Sequence, residues 1–173
     1  MHARYLLSAA LLGGIVSFGW GAFTHNALPA AEPHAFSDST AVVQTVKANA
    51  PSNGVYYDSR GLFAAVTFHS DLSSRYDGML YPIVHQGLIC IVVAGLLAWV
   101  LLRLPVWPAS GTGFLLATIA LAAGIALLLP ATNWYGFPLK FQLVQLADIV
   151  VGWFLMGLVI GWLRNRMLRA EAR

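Results

Sequence analysis

From Phe141 to Arg166 the chain reads FQLVQLADIVVGWFLMGLVIGWLRNR, one apolar run closed by a basic clamp, Arg164 and Arg166. About twenty apolar residues at ~1.5 Å each cross the ~30 Å hydrocarbon core of a bilayer. In hydrocarbon a single segment satisfies its own backbone only as a helix. The run therefore predicts a transmembrane helix over 141–163 and a basic tail over 164–173. One acid, Asp148, lies inside it. A carboxylate at such depth costs roughly 2.5–3.5 kcal/mol on insertion scales, so it needs a partner, a proton or water.

Three further runs follow the same rule, over 5–23, 79–104 and 112–130. The chain is 58% hydrophobic and 10% charged, against about a quarter charged in soluble domains, so a soluble fold could not cover its surface. The fold class expected is an all-α membrane protein, a four-transmembrane-helix bundle with a small periplasmic α+β cap between helices 1 and 2. A net charge of +3 does not read as nucleic-acid binding, because the bases sit at helix ends instead of forming a patch that tracks phosphates. The single cysteine, Cys90, excludes an intrachain disulfide, a dithiol redox motif and hence a quinone-linked disulfide-forming enzyme.

The first run follows a short basic start and is long for the core of a cleaved signal, so it reads as a retained helix. Ala9, Gly13, Ser17 and Gly21 put a small residue at every fourth position, and Gly157 and Gly161 repeat the pattern in the last run. Such stripes let helices approach closely in lipid. Between helices 1 and 2, about 55 residues are too few for a confident independent domain and read as a cap over 24–78. Pro29 and Pro33 favour an extended exit. Ser37-Asp38-Ser39 offers N-caps for a short helix over 38–50, with Ala41, Val42, Val43 and Val46 as its apolar stripe and Pro51 as its stop. Residues 55–68, divided by Asp58-Ser59-Arg60-Gly61, predict a hairpin. Pro130 is expected to close the third membrane helix, and 131–140 to form a loop whose Trp134, Tyr135 and Phe137 sit at the membrane interface.

Arg4, Arg103, Arg164, Arg166, Arg169 and Arg173 fall on one side of these spans. Lys47, Arg60, Arg75 and Lys140 fall more sparsely on the other. The positive-inside rule then places both termini in the cytoplasm and the long loop outside, in the periplasm of a bacterial inner (cytoplasmic) membrane.

In that orientation His25, His34, His69 and His85 lie on or just within the outer side, together with Glu32, Asp38, Asp58, Asp71 and Asp77. These are residue types that ligate zinc, copper or iron, and His25, His85 and Asp148 are the metal-ligand candidates, although no pair has a sharp ligand spacing. Solvated loop and capping roles account for most of them better than a metal site does. Inside the membrane, Gln142, Gln145 and Asp148 share one helical face. Asp148 lies roughly 10 Å in from the start of its helix, level with His85 of helix 2, and Gln86 stands beside His85. His85, Gln86, Gln142, Gln145 and Asp148 are thus a candidate polar intramembrane pocket, which Trp20 and His25 would close from a third side. Two roles stay open: a site for protons, a metal or a quinone headgroup, or hydrogen-bonded glue between helices. A haem between two membrane histidines fits poorly, since only His85 lies clearly within a span. No nucleophile elbow, phosphate-binding glycine loop or metalloprotease helix is present in the sequence.

Trp20-Gly21-Ala22-Phe23-Thr24-His25, Leu28-Pro29, Asn49-Ala50-Pro51 and Gly54-Val55-Tyr56 together resemble a family of small uncharacterised bacterial multi-pass inner-membrane proteins. Its members share a Trp-containing exit from helix one, a Leu-Pro step, a short helix, an Asn-Ala-Pro break and a Gly-Val-Tyr strand. The resemblance covers the first third to half of the chain. Members often carry Trp-His after the Leu-Pro step, where this chain has Ala30-Ala31. It implies the topology and transfers no catalytic residue.

The leading functional expectation is a non-enzymatic accessory, assembly or scaffold component in the lipid bilayer, packing on a second copy or on another membrane protein. The second is a metal-, quinone- or proton-handling protein built on the His/Asp pocket. A third is a small transporter or proton path along Gln142, Gln145 and Asp148. No cofactor is assigned.

Overall fold

The computed structural model describes residues 2–27, 35–68 and 80–171. The element order is α1 (His2–Ala27), α2 (Ser39–Asn49), β1 (Gly54–Asp58), β2 (Leu62–Val66), α3 (Leu80–Leu101), α4 (Ala109–Tyr135) and α5 (Leu139–Glu171). Two compact units result: Met1–Ala31 with Pro82–Arg173, and Glu32–Tyr81.

Four helices, α1, α3, α4 and α5, are long and apolar enough to cross a membrane. Their 26, 22, 27 and 33 residues correspond to about 39, 33, 40 and 50 Å. The shortest matches a hydrocarbon core, and α5 exceeds it by several turns. The ends depart from those expected by up to eight residues, the most at α5, which stays helical to Glu171 through most of the expected tail. The clearest departure is at Pro130, which lies inside α4 and does not end it. Proline removes one N–H and crowds the preceding turn, but the helix continues to Tyr135. It stops where Gly136 takes the left-handed conformation (φ 70°) and donates its N–H to the Ala131 carbonyl. The expected ten-residue loop is therefore three residues, 136–138, and Trp134 and Tyr135 ride on the last turn of α4.

Small residues decide how the four helices meet. A Cβ added at Gly14 would stand 2.7 Å from the Ile91 Cα, and one at Gly95 would meet the Ala10 Cβ at 3.3 Å, so α1 and α3 touch almost backbone to backbone. A Cβ added at Gly157 would stand 2.8 Å from the Gly113 Cα, and one at Gly161 would stand 2.7 Å from the Thr112 hydroxyl, which makes the same kind of seam between α4 and α5. Trp20 lies over Gly152, and Gly13 takes up Ile160, joining α1 to α5. In each pair the residue numbers run in opposite senses, so each of these helix pairs is antiparallel. The start of α1, the end of α3, the start of α4 and the end of α5 therefore share one end of the bundle. Arg4, Arg103, Arg164, Arg166 and Arg169 all belong to that basic end. Tyr5, Ala9, Ala94, Ala98, Leu101, Leu116, Met156, Ile160 and Leu163 form the core. Large apolar side chains such as Leu7, Ile15, Val92, Leu96, Phe114 and Leu127 stay outside, the surface expected where lipid replaces water.

In the other unit, Asp38 caps α2 by accepting the Ala41 N–H (2.9 Å). The apolar stripe of α2 is narrower than expected: Val42 and Val46 are half-buried, whereas Val43 is 50% exposed. The hairpin pairs Gly54 with Val66 through Asp58 with Leu62. Gly61, at φ 107°, makes its turn possible. Asn53 Oδ1 accepts the Phe68 N–H at 2.6 Å and closes the open end.

Candidate functional site

Asp148 sits on α5 where that helix passes α1. The indole Nε1–H of Trp20 donates to the Asp148 backbone carbonyl at 3.1 Å. The contact needs Gly152: a Cβ there would meet the Trp20 ring at 3.0 Å. Position 152 is one turn from 148, so the indole lies across the ridge between the acid and the glycine. Thr24, one turn beyond Trp20 on the same face, is buried, and its hydroxyl donates to the Gly21 carbonyl at 3.1 Å. Phe23 packs against Trp20 with ring centroids 5.8 Å apart. These residues hold the Trp20 indole in place.

The carboxylate itself is half-buried, and its Oδ1 is sealed from solvent with no hydrogen-bond partner among the described residues. An acceptor left this way costs about 1–3 kcal/mol, more when charged. Gln142, 3% exposed, and Gln145, half-buried, continue the polar face toward the start of α5. Three of the five expected pocket residues thus lie along one buried or half-buried face of α5.

The other two are placed differently. His85 and Gln86 are exposed on α3, and Gln86 Nε2 lies 3.8 Å from Cys90 Sγ on the same helix. The expected pairing of His85 with Asp148 is not made through the sealed Oδ1. The exposed His25 donates its Nδ1–H to the Gly21 carbonyl at 2.9 Å. Among the described residues, no three His, Cys, Asp or Glu side chains gather closely enough to hold a metal. His34, His69, Glu32, Asp71 and Asp77 lie outside the described residues.

The packing candidates divide as well. Ala9, Gly13, Gly157 and Gly161 are all buried within this chain's own seams. Ser17 is half-buried. Gly21 is half-buried, yet a Cβ there would meet nothing within 4 Å. Of the six, Gly21 is the position with open space in front of it.

At the basic end, Arg164 is spent on structure. Its Nη2 donates to the Leu104 carbonyl (2.8 Å) and its Nη1 to that of Pro105 (3.1 Å). Asn165 Nδ2 donates to the Trp107 carbonyl at 3.0 Å. The α3–α4 connection is thereby tied to α5. In the sequence Arg164 marks topology alone; in the structure it and the neutral Asn165 together fasten this loop. The signal available was Pro105 and Pro108, which leave neighbouring carbonyls without helical donors.

No protein-family model matches this chain, and neither a curated protein nor a solved structure does.

Proposed function

We propose that this chain is a non-enzymatic accessory or scaffold component of the bacterial inner membrane, with both termini cytoplasmic and residues 24–78 periplasmic. The observation that carries the reading is the pair of glycine seams, Gly14 on Ile91 and Gly157 on Gly113. Backbones that approach this closely fill the bundle axis and favour a rigid platform over a channel. The gathering of arginines at the end shared by both termini supports the orientation through the positive-inside rule. The resemblance of the Trp20–His25 and Asn49–Pro51 segments to small inner-membrane proteins points the same way.

A scaffold must offer a face that its own fold has not consumed. Gly21 has that property and Gly13 does not, and self-association through the Gly21 face of α1 is the form of the proposal we test. Cross-linking of the full chain in bilayers should give a dimer that Gly21→Leu abolishes while leaving the helical content unchanged. Equal dimer yield from the variant, or a strictly monomeric wild type, would count against it.

A second reading rests on the sealed Oδ1 of Asp148: a group that handles a proton or a quinone headgroup between α1 and α5. Proteoliposomes whose proton permeability, or bound quinone, is identical for wild type and Asp148→Asn would remove it.

A further inference from the structure

At the basic end a cavity of about 660 Å³ is lined by Pro108, Ala109, Trp162, Asn165, Arg166 and Arg169, with Ala170 at its edge. That volume lies within the ~300–1,000 Å³ typical of ligand sites. Two cations face one recess, and among the side chains described, which end at Ala170, no carboxylate pairs with either. Arg166 stands 5.3 Å over the Trp162 ring, and Arg169 makes no described side-chain contact. Like charges that line one recess repel, and an anion between them relieves the repulsion. The recess is also built in advance. Arg164 and Asn165 pin the loop carbonyls of Leu104, Pro105 and Trp107 to α5, which fixes Pro108 and Ala109 as the opposite wall. On that wall α4 starts without a side-chain cap, and its first intrahelical bond is from Thr112 N–H to the Pro108 carbonyl. The dipole of a 27-residue helix adds to the positive potential of the two arginines.

The surroundings select the kind of anion. Trp162 is half-exposed, and an indole at the end of an apolar helix marks the level of lipid headgroups. Below it the outer surface of the bundle is apolar, so a ligand with its phosphate between the arginines can lay acyl chains along the helices. Basic pockets between transmembrane helices on the cytoplasmic side suit anionic headgroups.

We infer that the cleft between the end of α5 and the start of α4 is a binding site for the phosphate of an anionic glycerophospholipid. Arg166 and Arg169 are its phosphate ligands, and Trp162 lies at the glycerol level. The inference rests on the reading that the bundle is membrane-embedded, but not on self-association through Gly21.

The test uses the full chain in nanodiscs of phosphatidylcholine doped with spin-labelled phosphatidylglycerol or spin-labelled phosphatidylcholine. Wild type should retain the anionic label preferentially. Each of Arg166→Ala and Arg169→Ala should lower that preference about fivefold, and the pair about thirtyfold. Arg103→Ala, whose guanidinium stacks 3.5 Å over Trp99 at the same end of the bundle, should change it little. The charge-preserving pair Arg166→Lys and Arg169→Lys should keep most of it, which guards against loss through misfolding. Equal retention of both lipids by wild type, or a preference that survives the double alanine variant, overturns the site. Displacement of the anionic label by millimolar inorganic phosphate or glycerol phosphate would assign the cleft to a soluble phosphate and overturn the lipid. Unchanged Gly21-dependent cross-linking in the double variant separates failure here from failure of the scaffold reading.

Discussion

The two halves of α5 solve the problem of a long apolar helix in opposite ways. From Gly157 onward it lies backbone to backbone on α4, and the polar side chains Arg164 and Asn165 donate to loop carbonyls. From Leu139 to Gly152 it carries Gln142, Gln145 and Asp148, and the hydrogen bond that ties this half to α1 reaches the Asp148 backbone, leaving Oδ1 without a partner among the described residues. In the basic half the polar side chains of α5 meet loop carbonyls, although the buried Tyr5 hydroxyl of α1 at that end has no partner among the described residues. The polar half retains an acceptor that no donor among the described residues meets. Stability is therefore expected to be concentrated in the first and any chemistry in the second.

The contrast breaks most severely at Gly157. A leucine there would need room where the Gly113 Cα stands 2.8 Å and the Thr112 carbonyl oxygen 2.9 Å from the new Cβ, and both are backbone that cannot rotate away. Gly157→Leu should cost about 3 kcal/mol and separate α4 from α5. It would be seen as a lower unfolding midpoint in detergent, followed by circular dichroism. Gly21→Leu, with open space, should leave that midpoint in place.

Asp148 gives the opposite sign. Asp148→Leu removes an unsatisfied buried acceptor, so the bundle should become about 1–3 kcal/mol more stable. A fall in stability would mean that the carboxylate is glue after all. Trp20→Phe keeps an aromatic ring over Gly152 but deletes the N–H donor to the Asp148 carbonyl, for a loss of about 1 kcal/mol. In a double-mutant cycle the coupling between Trp20→Phe and Asp148→Leu should be small, because the indole holds the backbone and not the carboxylate.

What was legible in the sequence follows the same division. The four long apolar helices are visible because a run long and apolar enough to cross a membrane obeys one rule along its whole length. The hairpin is visible because Asp58-Ser59-Arg60-Gly61 is local turn chemistry, and its Gly61 does take positive φ. Pro130 misleads because a proline's local cost is met by a helix that packs on α5 over most of its length; Gly136, followed by Pro138, was the better stop signal. The polar face of α5 could be read from spacing alone. Its partner could not, since whether α1 or α3 faces Asp148 depends on helix rotation, which the small residues set. Gly152, one turn from Asp148, was the clue to the indole, because only a residue without a side chain admits a ring so close. Depth along the span placed His85 level with the acid but carried no information about direction around the helix axis.

The smallest effect is expected in the hairpin, where no burial amplifies an ion pair. Arg60 binds Asp58 through its Nε and Nη2, both at 2.8 Å, and through its backbone N–H at 2.9 Å. These bonds hold the Asp58 carboxyl below its ordinary 3.8, the side-chain bond to Arg60 being the main cause. A carboxyl depressed in the fold supports the turn above its unfolded value and loses that support as the pH falls through the folded one. The window therefore lies on the acid side of 3.8 and leaves neutral pH untouched. Both side chains are in water, where such pairs contribute little, so Asp58→Asn should leave the unfolding midpoint unchanged. The amide resonances of Arg60 and Gly61 should titrate in that acid window in the wild type and stay flat in the variant. A midpoint shift comparable to that of Trp20→Phe would mean that this ion pair contributes more than its exposure allows.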